Sequence, residues 1–133
     1  MTSPSRVTYT ARVALILYAA ALSTLTHWPR LRVESPDIPR LDLFAHLGAY
    51  GLLGFIAGMA APFGRVTRAR PAALTLAALL TYAAIDESTQ AIPALGRFAS
   101  LDDFAANALG LTLGLAAAAF TQHATRPRGA TAP

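Results

Sequence analysis

Four long apolar blocks, separated by short charged stretches, constrain this chain more than anything else in it. They run over residues 13–28, 43–63, 72–92 and 104–120. Each is close to the ~17–25 residues a helix needs to cross the hydrocarbon core of a bilayer. The composition points the same way. Of 133 residues, 54% are hydrophobic and 14% charged, against about 25% charged in an ordinary soluble domain. The expected fold is all-α: one domain over residues 1–133, an integral membrane bundle of four transmembrane helices.

The first block invites comparison with a signal peptide, because Arg6 and Arg12 precede it. The apolar run is long for that purpose. It ends in Thr26-His27-Trp28-Pro29 instead of a small-residue cleavage site. An uncleaved first span is therefore expected. There is no Cys, so disulfide and thiolate metal chemistry are excluded. All eleven basic residues are Arg, and they are spread over short loops and tails. That dispersion argues against a nucleic-acid surface.

Charge predicts an orientation. Arg6, Arg12, Arg65, Arg68, Arg70, Arg126 and Arg128 fall on one side of the blocks, and Arg30, Arg32, Arg40 and Arg97 on the other. Short loops richer in Arg stay in the cytoplasm, so both termini are expected there. All seven acids, Glu34, Asp37, Asp42, Asp86, Glu87, Asp102 and Asp103, then lie on the outer side. Trp28 and Phe63 fit interfacial anchors.

The outer side also carries a spaced polar pattern. Asp42, His46 and Tyr50 recur at four-residue intervals along the second block, so they share a helix face. Glu87 and Gln90 are neighbours near the end of the third. Arg97 lies in the short loop after Pro93 and Gly96. Ser100 is a natural N-cap, with Asp102 and Asp103 favouring the start of the fourth helix. Asn107, Gly110 and Gly114 continue the Asp103 stripe. Gly54-xxx-Gly58 and Gly110-xxx-Gly114 are small-xxx-small patterns that let helices approach closely, and packing explains them fully.

Ionisable groups at membrane depth mark functional sites by default. Glu87, His46 and Asp42 are the candidates for acid-base work, with Asp42 placed to orient His46. Arg97, Glu87, Gln90, Asp103, Asn107 and Tyr50 are the candidate ligand-binding set, in which Arg97 suits a phosphate or carboxylate. Each has a plainer reading. Glu87 and Arg97 would also serve as a tether for the outer loop, Asp103 as a helix-start acid, and Asn107 and Tyr50 as hydrogen-bonders within the bundle. Asp86 and Asp102 adjoin the pattern but are expected to point elsewhere on their helices. No dedicated metal-ligand motif is present, and neither a metal nor a cofactor is expected.

This order and spacing over residues 42–114 resembles the VanZ-like family: Asp42, His46, Gly48, Tyr50 and Leu53, then Glu87 and Gln90, then Gly96-Arg97, then Asp103, Asn107 and Gly110. The resemblance implies a small polytopic protein of the bacterial cytoplasmic membrane. The family's founding member is linked to low-level resistance to the glycopeptide teicoplanin, and no biochemical activity is agreed for the family. Three readings stay open for this chain: an outer-leaflet site for an anionic lipid or lipid-linked cell-wall precursor, an enzyme remodelling such a lipid, or an interaction protein whose polar cluster only locks the bundle. A transporter would need more helices than one copy supplies, and so an oligomer.

Overall fold

The computed structural model describes residues 6–29, 31, 33–96 and 98–125. Within them all regular structure is helical: α1 (Arg6–Thr26), α2 (Leu41–Ala60), α3 (Ala69–Gln90) and α4 (Leu101–Ala124), with a 3-10 turn at Pro93–Leu95. α1, α2 and α4 are long and apolar enough to cross a membrane. α3 has 22 residues but does not reach that apolarity, where four spanning helices were expected. Its sequence explains this: Arg70 near one end, Asp86, Glu87 and Gln90 near the other, and hydroxyls at Thr75, Thr81, Ser88 and Thr89 between.

Local chemistry sets the boundaries. Ser100 accepts a hydrogen bond from Asp103 N at 3.3 Å, the N-cap that the Ser-x-x-Asp spacing predicts. Pro62 follows the end of α2, where Ala61 turns left-handed at φ 47°. α1 stops at Thr26, short of the expected 28, and its last turn is closed by a 3.1 Å bond from His27 N to Ser23 O. The residue before Pro29 is pushed out of helical geometry, which frees Trp28.

α2 and α4 form the tightest contact, and glycine makes it possible. Gly110 lies against the Leu47 carbonyl and Gly51 N, Gly114 against the Gly51 carbonyl and Phe55 N, and Gly54 against the Leu111 backbone. A Cβ at any of these three would strike backbone atoms. Both expected glycine pairs thus lie in the seam, whereas Gly48 faces open space. Leu53, Ala57, Leu79, Ala83 and Leu111 fill the centre beside fully buried Tyr50.

Side-chain bonds to carbonyls tie α1 to α2 and α3. Tyr18 donates to Ala49 O and Tyr82 to Ala19 O, each at 3.0 Å. At the end holding residues 61–68, Arg12 Nε donates to Ala60 O at 3.2 Å, Arg65 to Gln122 O at 2.6 Å, and Gln122 Nε2 to Gly58 O at 2.8 Å. These donors satisfy carbonyls that the C-terminal turns of α2 and α4 leave open.

Candidate functional site

At the opposite end the C-termini of α1 and α3 meet the N-termini of α2 and α4, so the polar stripes converge there. Asp86 is the hub. Its carboxylate is 3% exposed and accepts four hydrogen bonds. Tyr50 Oη (2.8 Å) and Gln90 Nε2 (3.1 Å) donate to Oδ2. Thr26 Oγ1 (3.0 Å) and Ser23 Oγ (3.2 Å) donate to Oδ1. A carboxylate has about four acceptor positions, and these donors fill them. His27 Nδ1 lies 3.7 Å from Oδ1.

His27 is held on both sides. Nδ1 lies 2.8 Å from the Ser23 carbonyl, which can only accept, so Nδ1 carries the hydrogen. Nε2 lies 2.8 Å from Thr89 Oγ1, whose hydroxyl is also 2.7 Å from Ile85 O. One polar knot therefore joins α1, α2 and α3.

Asp86 was expected to point away from the site and is instead buried at its centre. The pattern was read down one face of α3, through Glu87 and Gln90. In the bundle Asp86 turns to α1 and α2, Glu87 turns to α4, and Gln90 bonds Asp86, one helical turn away. Ser23, Thr26, His27 and Thr89 went unrecognised because each alone is an ordinary polar residue in an apolar run. The signal available was their four-residue spacing: Ser23 to His27 on one helix, Asp86 to Gln90 on the other.

A second cluster lies between α2, α3 and α4. His46 Nδ1 is 2.9 Å from Asn107 Oδ1, and Nε2 is 3.9 Å from Asp103 Oδ2. The His46 ring stacks on Tyr50 at a centroid distance of 6.3 Å. Glu87 Oε1 accepts from Ser100 N at 2.6 Å, and Glu87 lies within electrostatic reach of Asp103 and His46.

Two expected pairings change. Asp42 was expected to orient His46; it pairs with Arg40 at 3.6 Å, and Asn107, fully buried, holds the imidazole. Arg97, the expected partner of Glu87 and the expected grip on an anion, lies outside the described residues. Asp102 pairs with Arg40 at 3.3 Å on the surface, apart from the cluster as expected.

Above the clusters is a cavity of about 760 Å³. Leu22, Leu25, Leu31, Ile38 and Phe98 give it apolar walls, and Thr26, His46, Tyr50, Ser100 and Asp103 line its polar part. Leu31, residues 33–35 and residues 38–40, from the loop before α2, form one side. Among the described residues no three His, Asp or Glu side chains come together as a metal ion would require.

No family model, curated protein or solved structure matches this chain.

Geometry alone therefore speaks for the site. The helices suit a membrane, the polar groups gather at one end of the bundle, and a cavity of ligand size opens beside them.

Proposed function

We propose that this protein crosses the bacterial cytoplasmic membrane four times, with both termini inside, and that its outer cavity binds the head group of an anionic envelope lipid or lipid-linked cell-wall precursor. The cavity carries the reading. Its ~760 Å³ falls within the range of small-molecule sites, about 300–1,000 Å³, and such sites combine apolar walls with a few placed polar groups. The apolar walls suit the upper part of an acyl chain, and the polar part suits a head group. Arg40, at the cavity edge, is a cation for a phosphate, and Arg97 falls in the sequence between Gly96 and Phe98, which line the cavity. α3 crosses as part of the bundle: its acids are turned inward and Asp86 is fully hydrogen-bonded, which lowers the cost of their depth.

Mass spectrometry of the purified protein tests this. The wild type retains a lipid, and Ala45→Trp, which fills the cavity, and Arg97→Ala release it. The same lipids copurifying with all three proteins would end the proposal. The glycopeptide connection has its own test. Expression in a sensitive host raises the teicoplanin concentration tolerated; unchanged tolerance at verified membrane levels removes that part.

One observation favours a second reading, a membrane enzyme remodelling the bound lipid. Because Asn107 Oδ1 faces His46 Nδ1, the hydrogen sits on Nδ1, and Nε2 is turned to the side of Asp103. That is how a general base is held. A lipid product formed by wild-type protein and not by His46→Ala supports it, and complete recovery of unchanged lipid removes it.

A further inference from the structure

We propose that the cavity recognises vicinal hydroxyls, those of a sugar or glycerol head group, through Asp103, which lines it, and through Glu87 and Asn107, which are buried behind the lining. The inference rests on the head-group reading above and specifies which chemistry that head group presents.

Among the described residues, three buried side-chain atoms in this cluster have no hydrogen-bond partner: Glu87 Oε2, Asp103 Oδ1 and Asn107 Nδ2. Glu87 Oε1 takes Ser100 N and Asn107 Oδ1 faces His46 Nδ1, while Asp103 Oδ2 lies 3.9 Å from His46 Nε2 without a hydrogen bond. Leaving buried polar atoms unpaired costs about 1–3 kcal/mol each, more when charged. Such groups in one cluster call for a ligand or a mechanism. Position favours a ligand. Asp103 and Ser100 both line the cavity, Glu87 sits directly behind Ser100, and Asn107 is one turn deeper on the Asp103 face of α4.

The three atoms are two acceptors and one donor. A vicinal diol matches them: each hydroxyl donates to one carboxylate, and an oxygen accepts from the Asn107 amide. Other head groups match less well. A phosphate offers acceptors only and would meet two carboxylates. A quaternary ammonium has no N–H. A primary ammonium serves the carboxylates but leaves the Asn107 amide unpaired. In a phosphoglycerol lipid the phosphate would stay at the rim, beside Arg40.

The test uses the full chain in detergent, with equal amounts of glucosyl-diacylglycerol, phosphatidylglycerol, phosphatidylethanolamine and phosphatidylcholine of identical acyl chains. Bound lipid is read by native mass spectrometry. Wild-type protein is expected to hold the first two about tenfold more than the others, the ratio that one hydrogen bond to a charged group gives. Asp103→Asn should erase that preference. It leaves the Ser100 cap intact, because the bond there comes from the Asp103 backbone. Asn107→Leu should do the same, and if it fails to fold, Asp103→Asn decides. Methyl glucoside should displace the glucosyl lipid from wild type and not from Asp103→Asn, which separates the sugar from the acyl chains as the part recognised. Retention of phosphatidylglycerol alone by wild type, lost in Ala45→Trp, overturns the hydroxyl assignment while the anionic head-group reading stands; equal retention of all four overturns both. Preference for the ethanolamine lipid overturns the hydroxyl assignment in favour of an ammonium. Lipid retained in full by Ala45→Trp means the head-group reading itself has failed.

Discussion

A carboxylate buried in an apolar bundle persists only when donors occupy its acceptor positions, and Asp86 has four of them. Replacing it with Leu strands Tyr50, Ser23, Thr26 and Gln90 around an apolar side chain, at about 1–3 kcal/mol for each donor left unpaired. Tyr50→Phe removes one bond to a charged group, a loss of about 1.5–3 kcal/mol. The two changes should not add. Once Asp86 is Leu, Tyr50→Phe should cost little, because the bond it removes is already gone. Thermal unfolding of the four proteins in detergent measures this, and additive losses would show that the Tyr50–Asp86 bond contributes nothing of its own. Asn107, Tyr50 and Ser100 were readable from sequence because helical spacing or capping chemistry fixes what they do. Asp86 was not. Which neighbouring helix each of two adjacent acids faces depends on the rotation of α3 about its axis, and that is set by helices distant in sequence.

Between elements, the α2–α4 seam is a contact of backbone on backbone. Lipid tails are as apolar as leucine, so helices in a bilayer are held by close packing and polar bonds more than by exclusion of water. Gly114→Ala places a methyl against the Gly51 carbonyl and should cost about 1–3 kcal/mol through overpacking. Gly48→Ala, whose Cβ meets nothing, should leave the melting temperature unchanged or raised. A Gly114→Ala protein as stable as wild type would mean the seam yields easily. Ser100→Ala removes the cap on α4 and should cost about 1 kcal/mol. It leaves the bond from Ser100 N to Glu87, so the loop should stay in place, and amide exchange limited to the first turn of α4 would check this. The small-xxx-small spacing announced the seam in advance. It did not reveal that α1 attaches by hydroxyls, since Tyr18 and Tyr82 look like any aromatic residues in an apolar run.

For the molecule as a whole, orientation is the property most directly open to measurement. The chain has no cysteine, so single cysteines can be introduced cleanly. Asp37→Cys, in the loop beside the cavity, should react with a membrane-impermeant maleimide added to intact cells. Ala69→Cys, at the other end of the bundle, should react only after the cells are opened. The reverse pattern would place the cavity in the cytoplasm and remove any outer-leaflet ligand.

The placement of the donors around Asp86 also bears on how the protein is made. A charged residue in an inserting helix carries a penalty that is largest near the helix centre; Asp86 lies one turn from the end of α3, the helix that falls short on apolarity. Ser23, Thr26 and Tyr50 belong to α1 and α2, so the ribosome delivers them before Asp86 emerges. Gln90 follows within one turn. If α3 crosses as proposed, the helix least able to enter lipid alone reaches the translocon after the two that can receive it, and the order of synthesis is matched to the order in which the buried charge needs company.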